Sequence, residues 1–163
     1  MDIVIDLKNY TKNDTFFNRT AARGIIRRDD KYLMIKSKYG DYKFPGGGVE
    51  EGEALTDTLV REVREETGYI VKPDTVKLYG TALEKRAGET ADVMIMKSHY
   101  YVCDVTDDVT DRELDDYEAE YGYNIIWITL KDAADKNRMV SDLEKCPWVI
   151  RDTKVMEYLM ENE

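Results

Sequence analysis

Residues 44–69 read "FPGGGVEEGEALTDTLVREVREETGY". From Glu53 to Thr67 the stretch contains neither Gly nor Pro, and Leu55, Leu59 and Val63 recur at i, i+4 and i+8. That spacing predicts an amphipathic helix, ended by Gly68 as a left-handed stop. At about 100° per residue, Glu62 falls near −20° from Leu55, Glu66 near +20° and Glu65 near −80°. Leu59 and Val63 define the apolar stripe near +40° and +80° by the same geometry. The three glutamates therefore sit at the border of the core rather than on the outermost face. Like charges four residues apart cost about 0.2–0.5 kcal/mol even when exposed, and more once desolvated. Arg61 can pair with Glu65, Arg64 points away, and one arginine cannot neutralise three acids. Two readings follow: a solvated, salt-bridged helix face, or a carboxylate cluster that a hard cation with oxygen ligands makes favourable.

The residues ahead of the helix favour the second reading. Gly46, Gly47, Gly48 and Gly52 let backbone groups approach a ligand closely, and a helix N-terminus attracts anions. Glycines, an acidic helix start and a carboxylate stripe in one unbroken span suit a cation that bridges protein to phosphate.

Outward from this span, residues 19–29 and 32–38 alternate as two strands around the turn signal Asp29–Asp30. Residues 42–49 read as a short strand breaking into a glycine-rich loop. Two β-rich runs, 76–85 and 93–105, flank the turn "RAGETAD", and 123–130 is a further buried strand. "KDAADK" begins a short helix, and Trp148 to Met160 forms another after Pro147. The mixture predicts one α/β domain over 1–163 with a compact mixed sheet. Residues 1–18 are read as an edge strand, an arm that pairs with another subunit, or a loosely held tail.

The chain has 163 residues, 42% hydrophobic and 36% charged, the balance of a soluble globular protein. No apolar run approaches the ~20 residues of a membrane helix. The start "MDIVIDLKNY" has no basic segment followed by an apolar one, so a cytoplasmic location is expected. Cys103 and Cys146 form neither a disulfide framework nor a metal cluster, and Cys103 reads as a buried small hydrophobe. A net charge of −10 disfavours a nucleic-acid partner held by a basic face. Nine acids against Arg112 between Asp104 and Glu120 account for −8 of it. This segment reads as a solvated loop, from which Glu118 and Glu120 lie nearest the following strand.

The spaced residues resemble the signature of the Nudix hydrolases: Gly, five residues, Glu, seven residues, then Arg-Glu-apolar-any-Glu-Glu-any-Gly-apolar. Gly47, Glu53, Arg61, Glu62, Val63, Glu65, Glu66, Gly68 and Tyr69 occupy those positions, a box over 47–69. Tyr69 is the mild departure, amphipathic where an aliphatic is usual. The resemblance implies an α/β/α sandwich with a mixed central sheet. It also implies Mg²⁺-dependent hydrolysis of a nucleoside diphosphate linked to another group, with Mn²⁺ as a substitute. By position, Glu62, Glu65 and Glu66 resemble the family's metal ligands, Glu62 also orienting or deprotonating the attacking water. Glu53 would support the cluster, Arg61 would hold the glutamates, and the Gly46 carbonyl would be a further ligand. Many family members add an acid from a loop outside the box as general base or metal ligand, a role that points by region to Glu118 and Glu120.

Substrate contacts are expected from Arg23 and Lys43 and from the backbone of Gly47 and Gly48. Lys36 and Arg86, with Tyr39, Tyr42 and Phe17 for stacking, are further candidates, each with an ordinary surface or core role as its alternative. His99 reads as a packed or surface residue. The expected partner is a small-molecule nucleotide, with a capped or triphosphorylated RNA end the one nucleic-acid exception, and the chain a monomer or homodimer. The proline and tryptophan marks of ADP-ribose- and NADH-cleaving relatives are missing, so the substrate stays open. A catalytically silent nucleotide sensor on the same fold is the alternative, and it would be expected to lose box glutamates that are present here.

Overall fold

The computed structural model of the chain describes residues 1–162. It runs β1 (Asp2–Asp6), β2 (Phe16–Ile25), β3 (Arg27–Arg28), β4 (Lys31–Lys36), β5 (Tyr42–Lys43) and β6 (Gly46–Gly48) before α1 (Leu55–Thr67). After α1 come β7 (Tyr69–Val71), a single 3-10 turn at Pro73–Thr75, then β8 (Lys77–Ala87), β9 (Val93–Val102) and β10 (Val105–Val109). The chain closes with α2 (Asp116–Glu120), β11 (Asn124–Ile128), α3 (Leu130–Arg138) and α4 (Val149–Asn162).

The main sheet has the order β1-β8-β9-β2-β6, with β1/β8 and β9/β2 parallel and β8/β9 and β2/β6 antiparallel. A second sheet places β4 between β11 and β3, with β5 also paired to β4. Helices cover both sides, so the mixed-sheet α/β class read from the sequence holds. Period-2 alternation along β4 explains how: Tyr32 and Met34 pack with Val155, Met156 and Leu159 of α4, whereas Leu33 packs with Leu59 and Val63 of α1. Each such buried side chain stabilises by about 1.5–3 kcal/mol relative to exposure. Among the described residues no helix is long and apolar enough to cross a membrane.

Three expectations need correction or completion. Of the readings for residues 1–18, an edge strand applies to Asp2–Asp6, paired from Asp2↔Thr81 to Asp6↔Lys85. The expected glycine-rich loop is itself a strand, Gly46–Gly48, held in register by Arg23, Ala22 and Ala21 of β2. Weak glycine β-propensity is overridden there by ladder pairing with a buried partner. The acidic segment is not an open loop either. It contains β10 and α2, and distant arginines offset part of its self-repulsion: Arg28 donates to Asp107 at 3.0 Å and Arg64 to Glu113 at 2.8 Å, while its own Arg112 ties it to the Tyr123 carbonyl at 2.8 Å. A capping box between Asp115 and Glu118 starts α2.

Candidate active site

Helix α1 ends at Gly68, which takes the left-handed conformation (φ 77°) and donates its N–H to the Arg64 carbonyl. Its glutamates are buried in the order the helical geometry dictates, with side-chain exposures of 1% for Glu66, 14% for Glu62 and 25% for Glu65. Glu66 accepts from Lys43 Nζ at 3.0 Å and from the Gly46 amide at 2.7 Å, so one carboxylate ties α1 to β5 and β6. Glu62 lies directly over Gly47: a Cβ there would sit 2.4 Å from its Cδ, which only glycine avoids.

Arg61 is the brace. It forks onto Glu53 through Nε at 2.8 Å and Nη2 at 2.9 Å, and its Nη1 reaches Glu62 at 2.8 Å and Glu65 at 3.1 Å. Its Nη2 also donates to the Gly48 carbonyl at 3.2 Å. The paired Arg61 guanidinium holds the Glu53 carboxyl down at about 2.

Carboxylate oxygens of Glu62, Glu66 and Glu118 converge within 4.8 Å of one another. Burial raises the Glu62 carboxyl above its usual range, with repulsion from Glu66 adding to it and Arg61 opposing. Burial, then repulsion from Glu66, pushes Glu118 up to about 7. Three oxygens of this kind could serve as donors to a hard divalent cation, which would relieve their repulsion. Of the residues read as metal ligands, Glu62 and Glu66 join this cluster. Glu65 and Glu53 instead face Arg61, and the Gly46 carbonyl accepts from Arg23 at 3.1 Å. Of the two acids outside the box, Glu118 is buried and enters the cluster. Glu120 is exposed on α2 outside it.

Two cavities meet here. One, about 530 Å³, is acidic and lined by Arg61, Glu62, Glu65, Glu113 and Asp115. The other, about 500 Å³, has a cationic floor of Arg23, Lys43 and Arg151 and aromatic walls including Tyr121, Tyr123 and Trp148. Gly48 and Arg19 line both. Arg23 is buried and donates to Ser98 and to the Gly46 carbonyl, while the Lys43 ammonium lies 4.1 Å from the centre of the Tyr123 ring. Gly47, Phe17 and Arg86 also line the second cavity, Arg86 with its Nε on Glu84. Tyr42 is instead a core residue, Tyr39 packs edge-to-face against Tyr121, and Lys36 lies over Tyr42. His99 sits within β9, half-buried, outside both cavities.

Sequence reasoning missed Arg19, Trp148, Arg151 and Asp41. The buried Asp41 accepts from Trp148 Nε1 at 2.6 Å and from the Ser37 hydroxyl, and fixes the cavity wall. A charged residue at the turn between two strands carries no local mark of that role. Cys103 is buried as expected, its thiol pushed up to about 12 chiefly by burial.

A sequence profile of the NUDIX domain matches residues 18–148. An ADP-ribose pyrophosphatase of Methanocaldococcus jannaschii is 48% identical over 56 residues, 32% of this chain and 33% of that protein. A nucleoside triphosphatase, NudI, of Escherichia fergusonii is 41% identical over 56 residues, 31% of this chain and 40% of that protein. These alignments therefore span less than half of either relative. Among solved structures, a NUDIX hydrolase from Nitrosomonas europaea has a TM-score of 0.60 at 23% identity, covering 85% of this chain and 90% of that one, a likeness of fold. With the profile matching most of its length, the chain belongs to the NUDIX family.

Proposed function

We propose that this chain hydrolyses a pyrophosphate bond in a nucleoside diphosphate linked to a further group, with Mg²⁺ held by Glu62, Glu66 and Glu118. The observation that carries the reading is the convergence of those three carboxylates within 4.8 Å beside a cavity of nucleotide size. When bound, the cation supplies charge neutralisation at phosphoryl oxygens and lowers the pKa of water. Mn²⁺, with the same preference for oxygen ligands, is the expected substitute.

The residues of the chain have separable tasks. Arg61 fixes Glu62 by charge-assisted hydrogen bonds, so that its carboxylate is aimed rather than free to rotate. Glu62, its proton affinity raised by burial and by Glu66, orients the attacking water or accepts its proton. Lys43 donates to the buried Glu66 at 3.0 Å and holds its carboxyl group in position. Arg19, whose guanidinium makes no ion pair or hydrogen bond among the described residues, stands at the seam of the two cavities, where a phosphate passing between them would meet it.

The test is incubation with nucleoside triphosphates, sugar nucleotides, ADP-ribose, dinucleoside polyphosphates and capped RNA, with Mg²⁺ and with chelator. Metal-dependent release of a nucleoside phosphate from one class supports the proposal. Tight binding of nucleotides without turnover of any would favour the silent sensor.

A further inference from the structure

The floor of the second cavity holds a buried charge: Arg23 is 6% exposed, and no carboxylate among the described residues lies within ion-pair distance of it. Its donors go to neutral acceptors: the Ser98 hydroxyl at 3.2 Å, the Gly46 carbonyl at 3.1 Å and the Met96 thioether at 3.7 Å. Burying a guanidinium without a counter-charge is unfavourable.

Met96 is used twice. Its sulfur also accepts from Arg151 Nη1 at 3.3 Å, and Arg151 is 2% exposed. Arg151 Nε, buried as well, has no hydrogen-bond partner. Glu84 and Asp152 balance the Arg151 charge, but neither lines the cavity. Two buried guanidinium groups thus share one thioether, a weak acceptor on a flexible stem. The buried charged groups on the cavity floor, Arg23, Lys43 and Arg151, are all donors.

We propose that this floor selects a nucleobase whose inward edge carries a keto oxygen, as in guanine or uracil, over one that carries an amino group there, as in adenine or cytosine. The keto oxygen accepts from Arg23 and Arg151 in place of the Met96 sulfur, while Trp148 and the tyrosine walls cover the flat faces of the base. An amino group in the same place sets donor against donor and leaves the two guanidinium groups with only the weak Met96 sulfur between them. That the ligand is a nucleotide rests on the hydrolase reading above. The Arg23–Met96–Arg151 geometry alone carries the preference for keto oxygen.

The experiment is titration of GMP, UMP, AMP and CMP without metal, read by Trp148 fluorescence in a Trp127→Phe background. Guanosine and uridine monophosphates should bind at least about tenfold tighter than adenosine and cytidine monophosphates, the scale of one good donor–acceptor match. Met96→Leu, which keeps the volume and removes the sulfur acceptor, should widen that ratio. Equal or reversed affinities, an unchanged ratio in Met96→Leu, or ribose 5-phosphate binding as tightly as GMP would each overturn the proposal. Turnover of the four triphosphates, measured in parallel, separates the two readings. Keto-selective binding with no hydrolysis defeats the hydrolase reading alone, and hydrolysis without base preference in binding defeats this one alone.

Discussion

Lys43 Nζ and Glu66 Oε1 lie 3.0 Å apart with side-chain exposures of 8% and 1%. The pair joins the floor of the nucleotide-sized cavity to the carboxylate cluster, since Lys43 lines that cavity and Glu66 clusters with Glu62, which lines the acidic cleft. Breaking a buried pair by removing one partner leaves an uncompensated charge, a loss of about 3–5 kcal/mol. Lys43→Met should therefore lower the urea midpoint clearly, and Lys43→Met combined with Glu66→Gln should recover part of the loss. A single mutant as stable as the parent protein would show that the pair is not structural.

Gly47→Ala tests how tightly Glu62 is placed. The added Cβ would fall 2.5 Å from either carboxylate oxygen of Glu62, so that side chain must move. Because the clash is with the end of a flexible side chain, the melting temperature should change little. Turnover should fall about 10- to 100-fold, the usual effect of disturbing groups that orient a metal ligand. Full activity would mean that the position of Glu62 is not critical.

Arg61→Lys removes the fork that holds Glu53 while keeping the charge. A lysine cannot reproduce two parallel hydrogen bonds to Glu53 together with contacts to Glu62 and Glu65. The expected result is a fall in kcat of about tenfold or more with nucleotide KM nearly unchanged, because Arg61 acts on carboxylates and not on the base.

The cluster also fixes a pH dependence. Glu118, raised to about 7 by burial and by Glu66, keeps a proton in the fold that the unfolded chain releases in the ordinary carboxylate range. The folded state thus binds more protons, so the stability of the metal-free protein should fall as pH rises toward about 7 and level off above it. Cation binding displaces that proton, so affinity should rise over the same window. Denaturation at several pH values, with and without Mg²⁺, reads both effects. Metal-free stability that increases across the window would contradict the assignment.

Much of this site could be read from one helix. The period of Leu55, Leu59 and Val63 fixed the buried face, and the angular order of the glutamates matched their burial, Glu66 deepest and Glu65 outermost. The helix could not supply the third member of the cluster. Sequence position put Glu118 and Glu120 on equal terms, and only the fold of the acidic segment separates them. That fold depends on Arg28, Arg64 and Arg112, contacts that no local periodicity encodes. The cavity floor is less legible still: Arg23 of β2 is expected as a substrate contact, but its neighbours Met96 and Arg151 come from β9 and α4, and each of those alone looks like an ordinary strand or helix residue. The glycine strand was missed because propensity favoured a loop, whereas pairing with Ala21–Arg23 decided the outcome.

The central claim is that Glu62, Glu66 and Glu118 hold the divalent cation, and calorimetric titration with Mn²⁺ at pH 8 tests it most directly. The parent protein should bind, Glu118→Gln should bind about tenfold more weakly or worse, in the range lost when a metal site is disturbed, and Glu120→Gln should match the parent. Unchanged binding by Glu118→Gln, or an equal loss in Glu120→Gln, would contradict it.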